Sequence, residues 1–233
     1  MAEPDPAWAV PPPPRAAVAV SDGSLFPVRR IWCVGRNYAD HAREMGGNPE
    51  REPPFFFAKP ADAVVADGAV LPFPRATADL HHEVELALAM GAAGADLDLA
   101  AAEAAIFGYA VALDMTRRDL QAEAKKTARP WDMAKGFDLS CPIGTIRPAA
   151  EAGAIAAGAI RLDVDGALRQ AGDLADMIWS PAECVAALSR LVDLAPGDLL
   201  LTGTPAGVAA VAPGARLDAS IAGVGTLSIR YAE

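Results

Sequence analysis

Cysteine is scarce in this chain, and the three cysteines that it has, Cys33, Cys141 and Cys184, are far apart. No CxxC pair and no cluster of cysteine with histidine accompanies them. The sequence therefore predicts neither a disulfide framework nor a zinc site. We expect three reduced cysteines, as in a cytoplasmic protein.

Basic residues are also in short supply, since 20 Lys and Arg stand against 30 Asp and Glu and the net charge is −10. Binding to nucleic acid or to an anionic membrane surface without sequence preference needs a net basic face, and this balance argues against both. A local basic pocket for a small anion stays open.

Long apolar runs are missing as well. The longest stretch without a charged residue, Leu199–Ala215, is interrupted by prolines and glycines, so no membrane-spanning segment is predicted. The first residues include Glu3 and Asp5 where a signal peptide carries basic residues. We expect a soluble, cytoplasmic protein.

What the chain does have is enough apolar sequence, 52% of its residues, to form a substantial core. Residues 1–15 contain six prolines and predict an extended arm, and residues 16–233 show no linker, so we expect them to form one domain. Strands and helices are interspersed, but turns join the last strands. This order predicts an α+β, β-rich fold with a mainly antiparallel or mixed sheet system and a few peripheral helices.

Local patterns place several elements. The predicted strands are Val28–Val34, Glu83–Met90, Ile106–Asp114 and Leu199–Thr202, and hairpins are predicted at 160–171 and 217–231. One predicted helix runs from Thr116 to about Ala128. A second predicted helix begins at Ser180 with a capping box. It presents four apolar side chains to the core, those of Val185, Leu188, Leu191 and Val192.

Three carboxylates are candidate metal ligands. Glu83 and Glu85 alternate on one strand, so their side chains leave the same face about 6.5–7 Å apart along the backbone. An exposed strand with two surface glutamates is the alternative, but Ala87 and Ala89 continue the same face, and small apolar residues suit a crowded interior. Asp114 ends the next strand and fits either a third ligand or a cap of the following helix.

A histidine and a glutamate are candidates for proton transfer. His41 and Glu44 have the i, i+3 spacing that puts both side chains on one face of a helix. A carboxylate next to an imidazole raises its basicity and fixes its orientation, which suits a general base. An exposed helix face with a fortuitous pair is the alternative.

Several polar residues could hold an anion. Arg118 and Gln121 share a helix face, Lys135 follows a short Trp-Asp-Met-Ala segment, and Thr204 lies in a Gly-Thr-Pro-Ala-Gly turn after a buried strand. A surface cation or an ordinary turn is the alternative for each. The chain has no phosphate-binding loop, no dinucleotide fingerprint and no GxSxG nucleophile elbow, so a covalent serine hydrolase is not expected.

Six ordered motifs nevertheless occur together along the chain: GRNYADH at 35–41, FAKP at 57–60, HHEVE at 81–85, LDMT at 113–116, AKGFD at 134–138 and LTGTPAG at 201–207. With these motifs the chain resembles the fumarylacetoacetate hydrolase family from about Val28 to Ile229, most of all its short fumarylpyruvate hydrolases and acylpyruvases. The resemblance implies a mixed β-sandwich roll, a homodimer, and one Mg²⁺ or Mn²⁺ ion in each active site.

The resemblance also implies a role for each matching residue. Glu83, Glu85 and Asp114 would be the metal ligands, and His41 with Glu44 would activate a water molecule. Lys135 would assist catalysis at the enolate oxygen. Five residues would contact the substrate, namely Arg36, Lys59, Arg118, Gln121 and Thr204.

From this follows a first functional hypothesis, the hydrolysis of the C3–C4 bond of an acylpyruvate. Fumarylpyruvate would give fumarate and pyruvate, a step in the breakdown of aromatic compounds. Oxaloacetate decarboxylation or a general acylpyruvase activity is the alternative with the same metal-stabilised enolate. An isomerase or hydratase of unsaturated 2-oxo acids and a non-catalytic dicarboxylate binder are further alternatives.

Overall fold

The computed structural model describes residues 8–39 and 52–233. The strands in these residues are β1 Ala17–Ala19, β2 Leu25–Pro27, β3 Arg30–Gly35, β4 Phe55–Lys59, β5 Val64–Val65, β6 Val70–Leu71, β7 Leu80–His81, β8 Val84–Met90, β9 Ile106–Leu113, β10 Thr116–Arg117, β11 Cys141–Pro142, β12 Arg147–Pro148, β13 Ala159–Val164, β14 Ala167–Asp173, β15 Asp198–Leu201, β16 Arg216–Ile221 and β17 Gly225–Tyr231. The helices are α1 Leu99–Ala104, α2 Arg118–Lys126, α3 Asp132–Lys135, α4 Ala149–Ala152 and α5 Pro181–Ser189, with 3₁₀ turns at Ala61–Ala63 and Leu174–Asp176.

Two larger sheets form the body of the fold. The six-stranded sheet has the order β12-β9-β8-β15-β3-β4, and the five-stranded sheet has the order β14-β13-β16-β17-β6. Most neighbours are antiparallel, whereas β15 runs parallel to β3 and β6 runs parallel to β17. Short pairs, β1-β2, β7-β10 and β5-β11, complete the strand pairing. The β-rich α+β fold with mixed sheets is as expected.

The central strand β8 is buried on both faces. Leu86 and Leu88 pack in the larger core together with residues of the five-stranded sheet such as Leu162. On the opposite face, Ala87 and Ala89 belong to a second core that includes the hairpin of β1 and β2. Since residues of one parity share a face, Glu85 points into this second, alanine-rich side, and the alternative of an exposed acidic strand is excluded.

The structure differs from the predicted helices in two details. Thr116 and Arg117 do not begin a helix, because they pair with Leu80–His81 as a short strand, and α2 runs from Arg118 to Lys126. The capping box of Ser180 with Glu183 is present and begins α5 as expected. However, α5 ends at Ser189, so Leu191 lies beyond the helix and is 68% exposed instead of facing the core.

The described part of the proline arm, Trp8–Arg15, is exposed and forms neither helix nor strand. Among the residues with described structure, no helix is long and apolar enough to cross a membrane.

Candidate metal centre and substrate cleft

The three predicted metal ligands meet at one end of the six-stranded sheet. Strands β8 and β9 are antiparallel, so the start of β8 lies next to the end of β9, and the Asp114 N–H donates to the Glu83 carbonyl at 2.9 Å. Glu83, Glu85 and Asp114 each offer an oxygen within 4.8 Å of the others, and all three are buried. The structure therefore places them where they could hold one ion.

Lysine and arginine side chains balance two of these carboxylates. Lys135, at the end of α3, donates to Glu83 Oε2 at 2.7 Å and to Asp114 Oδ2 at 2.6 Å. Arg118 forms a second ion pair with Glu83 Oε1. Burial disfavours the charged form of Lys135, but Asp114 and Glu83 outweigh it and raise the pKa of this ammonium.

Within residues 8–39 and 52–233, Glu85 has no such partner. It is 1% exposed and accepts a hydrogen bond from the Gly203 N–H at 2.7 Å, while no side chain of the described residues forms an ion pair with it. Burial, and then the neighbouring Asp114 and Glu83, raise the pKa of Glu85 well above its ordinary value. A buried carboxylate in this position is stabilised by an added cation.

Asp114 also has a carboxylate oxygen that could bind a metal ion, and it lies next to Lys59. This residue lies beneath the acidic cluster, where its ammonium donates to the backbone carbonyls of Met115, Lys135 and Ser140. Asp114 Oδ1 lies 2.8 Å from Lys59 Nζ as an ion pair, yet it is a buried oxygen without a hydrogen-bond donor. An all-oxygen donor set with free lone pairs fits Mg²⁺ or Mn²⁺, which prefer oxygen ligands.

Helix α2 positions the residues on one wall of the site. Arg118 and Gln121 face the same side, as their spacing predicts, and Arg118 Nη1 donates to Gln121 Oε1 at 2.6 Å. Lys125, seven residues after Arg118, lines the same cleft. Lys125 is not among the residues predicted from the sequence, although the i, i+3, i+7 spacing of Arg118, Gln121 and Lys125 places all three on one helix face.

The loop after β15 positions Thr204. Gly203 has φ of +93°, and a Cβ atom there would lie 2.8 Å from Asn37 Cβ, so glycine is required. Thr204 follows and lines the cleft, and its Oγ1 accepts a hydrogen bond from Gln170 Nε2 at 2.7 Å. Because this bond uses Thr204 as an acceptor, the hydroxyl proton is left for an acceptor in the cleft.

Gln170 is a residue that the sequence analysis missed. The Nε2 of its fully buried amide donates to Thr204 Oγ1 and to the Pro205 carbonyl. The amide oxygen accepts a hydrogen bond from the Val84 N–H and forms another with His82 Nδ1. It thereby connects β14 of the five-stranded sheet with the start of β8. Nothing in a buried glutamine on a hairpin strand reveals this contact, because it depends on how the two sheets pack.

An open cleft lies above the acidic cluster. It is lined by the predicted residues Arg36, Glu83, Glu85, Arg118, Gln121, Lys135 and Thr204, and by Lys125, Phe55, Phe57 and Trp131. Lys59, predicted to contact substrate, is fully buried under the cluster, so its position favours holding Asp114 instead. The predicted His41 and Glu44 lie outside the described residues.

A mixed β-fold that gathers three buried carboxylates at the floor of an open cleft defines an enzyme with a candidate centre for a divalent cation. The family model described as "Fumarylacetoacetate (FAA) hydrolase C-terminal" matches residues 30–231. This chain therefore belongs to the fumarylacetoacetate hydrolase family.

Known proteins of this family are similar over nearly the whole chain. The crystal structure of fumarylpyruvate hydrolase from Pseudomonas aeruginosa in complex with Mn²⁺ and pyruvate is 50% identical, with a TM-score of 0.95 over 97% of this chain and 99% of that chain. Oxaloacetate tautomerase FAHD1 of Rattus norvegicus, a mitochondrial protein, is 41% identical over 89% of this chain and 96% of its own. The mitochondrial oxaloacetate decarboxylase of Dictyostelium discoideum is 40% identical over 85% and 91%.

Proposed function

We propose that this enzyme binds the 2-oxo acid end of its substrate in the cleft and stabilises the enolate of a pyruvoyl group. The observation that carries the proposal is the convergence of Glu83, Glu85 and Asp114, in which no side chain of the described residues forms an ion pair with the buried Glu85. The similarity to a protein that binds Mn²⁺ and pyruvate supports it. Bound at these residues, Mg²⁺ or Mn²⁺ would supply positive charge where the enolate develops.

The chain's own residues would hold and orient the substrate. Arg118 directs its guanidinium towards the cleft, where further N–H groups can donate to the substrate carboxylate. The Thr204 hydroxyl, held by Gln170, is a donor with fixed direction. Lys135 remains charged beside Glu83 and Asp114, and its ammonium adds to the stabilisation of negative charge on the substrate oxygen.

Oxaloacetate is the first candidate substrate, because the curated relatives are named for its tautomerisation and decarboxylation. Tautomerisation moves a proton between C3 and the 2-oxo oxygen. Decarboxylation breaks the C3–C4 bond, releases CO₂ and leaves the enolate of pyruvate, which takes up a proton at C3 to give pyruvate. Neither reaction needs a water nucleophile, so the residues described in the cleft are sufficient to stabilise the negative charge that develops on the 2-oxo oxygen.

Fumarylpyruvate is the second candidate, and the 50% identity to fumarylpyruvate hydrolase favours it. Here water adds to the C4 carbonyl and the C3–C4 bond breaks, giving fumarate and the enolate of pyruvate. This reaction requires a base for the water, the role predicted for His41 with Glu44. We also propose the homodimer and the cytoplasmic location that were expected from the sequence.

The test is turnover of oxaloacetate, fumarylpyruvate and acetylpyruvate by protein freed of metal with a strong chelator, then supplied with Mg²⁺ or Mn²⁺. We expect activity to vanish and to return with either ion, and Glu85→Gln to abolish this return while the exposed control Glu103→Gln keeps it. Undiminished turnover after chelation would reject the proposal.

His41→Ala separates the two candidates. If hydrolysis is the main activity, this substitution should damage the turnover of fumarylpyruvate far more than the loss of CO₂ from oxaloacetate. Equal loss of both activities would contradict separate roles for the base and for the enolate-stabilising residues.

A further inference from the structure

Two aromatic rings and two cations form the outer wall of the cleft. Phe55 and Trp131 meet edge to face with their ring centroids 5.5 Å apart. Arg36 lies over Phe55 with its guanidinium carbon 5.9 Å from the centroid, and Lys125 Nζ lies 5.2 Å from the centroid of Trp131. All four residues line the same cleft as Glu83 and Glu85 of the acidic cluster. We call them the outer wall.

The cations of the outer wall differ from those at the floor. At the floor Arg118, Lys135 and Lys59 each contact a carboxylate. Across residues 8–39 and 52–233, no carboxylate forms an ion pair with Arg36 or Lys125. This is notable in a chain with a net charge of −10, in which acidic partners are abundant.

The two cations also act on each other. Partial burial, and then the positive charges of Arg118 and Arg36, lower the pKa of Lys125. Arg36 has φ of +58°, a left-handed conformation that is uncommon for residues other than glycine and that is found at ligand-binding positions. An anion between the two side chains would relieve their repulsion and would use both as charge-assisted donors.

We propose that Lys125 and Arg36 bind a second carboxylate of the substrate, at the end remote from the 2-oxo acid. The acidic cluster is buried at the floor and both cations are exposed at the mouth, so the ligand must have an arm that crosses the cleft. Phe55 and Trp131 provide an apolar surface for that arm. The assignment favours fumarylpyruvate, the longer of the two candidate substrates, over oxaloacetate, and it rests on the proposed function for the position of the 2-oxo acid end.

Binding of two unreactive ligands tests this assignment separately from catalysis. 2-Oxoheptanedioate has a 2-oxo acid at one end and a carboxylate at the other, whereas 2-oxoheptanoate has a methyl group in place of that carboxylate. Neither has a carbonyl at C4, so neither can be cleaved between C3 and C4. Calorimetric titration of the Mn²⁺-loaded protein gives the dissociation constant of each.

We expect the wild-type protein to bind the dicarboxylate about tenfold more tightly, which corresponds to one charge-assisted hydrogen bond in excess of the desolvation cost. Lys125→Met and Arg36→Met should each remove most of this preference and leave the binding of 2-oxoheptanoate unchanged. Lys126→Met, which removes the adjacent exposed lysine, should keep the preference in full.

Equal binding of both ligands by the wild-type protein would overturn the assignment, as would a preference that survives in Lys125→Met. Turnover of the substrate panel is recorded in parallel. A preserved ligand preference without any turnover would reject the proposed function alone, whereas turnover without a preference would reject the distal carboxylate site alone.

Discussion

Lys59 is the residue whose removal best tests how the acidic cluster is held. Its side chain is 0% exposed. All three N–H groups of its ammonium donate to backbone carbonyls, those of Met115, Lys135 and Ser140, and its charge lies 2.8 Å from Asp114 Oδ1. Lys59 therefore joins β4 to two other segments, one at Met115 and one from Lys135 to Ser140, under the candidate metal centre.

We expect Lys59→Met to lower the free energy of unfolding by about 3–5 kcal/mol, the range for breaking a buried ion pair by removal of one partner. Asp114 keeps Lys135 at 2.6 Å, which limits the cost at the carboxylate. The three carbonyls, however, lose their donor in a place that water does not reach, and each unsatisfied group costs about 1–3 kcal/mol. Against a total stability of roughly 5–15 kcal/mol the loss is large.

Urea unfolding in the presence of a chelator measures this loss without a contribution from bound metal. Lys126→Met is the matched control on an exposed position and should stay within about 0.5 kcal/mol of wild type. The double variant Lys59→Met with Asp114→Asn should be less destabilised than the sum of the single variants, because it removes both charges. A loss below about 1 kcal/mol for Lys59→Met, or strict additivity, would refute the reasoning.

Three further predictions concern other buried groups. With metal removed by a chelator, Glu85→Gln should stabilise the protein, and the gain in the free energy of unfolding should grow as the pH rises above 4.5, the ordinary pKa of a glutamate. The reason is that the raised pKa of Glu85 makes the folded state bind more protons than the unfolded state. Urea unfolding at pH 5 and pH 8 checks this, and a loss of stability at pH 8 would contradict it. Gln170→Met should lower the free energy of unfolding by about 2–4 kcal/mol, since it leaves buried hydrogen-bond partners unsatisfied. In steady-state kinetics, adding Thr204→Val to Gln170→Met should cost little further activity. Full additivity of the two substitutions would count against the hydrogen bond from Gln170 as the contact that orients Thr204. A thiol reagent at pH 8 should label none of the three cysteines in the native protein and all three in urea. All three thiols are buried away from the reagent, and burial raises their pKa, that of Cys141 to about 12. Rapid labelling of the native protein would be inconsistent with the buried positions.

The sequence was sufficient for those parts of the site that depend on local periodicity. The period of two of a strand predicts Glu83 and Glu85 on the same face, and the two carboxylates do meet although β8 begins only at Val84. Arg118 and Gln121 share a helix face because of their i, i+3 spacing. The alanines beside the glutamates correctly favoured a buried face. These inferences need only the conformation of one element, which composition and alternation predict well.

Contacts between elements that are remote in the chain could not be predicted in this way. The bond from Gln170 to Val84 joins residues 86 positions apart in different sheets. The hydrogen bonds of Lys59 go to the carbonyl of Met115, between β9 and β10, and to those of Lys135 and Ser140, at the end of α3 and in the turn after it. For such residues a sequence motif shows that a lysine or a glutamine is present, while only the packing of the sheets shows which groups it reaches.

The pairing of β8 with β9 has a consequence for the metal centre. Glu85 lies directly opposite Ala112 in this ladder, and Asp114 follows two residues after Ala112 on the same face. A shift of the register by one residue would move Glu85 to the other face, among Leu86 and Leu88, and would part it from Asp114. The continuous apolar packing of that face excludes a carboxylate, so the hydrophobic pattern that stabilises the fold also fixes the three ligands at one point.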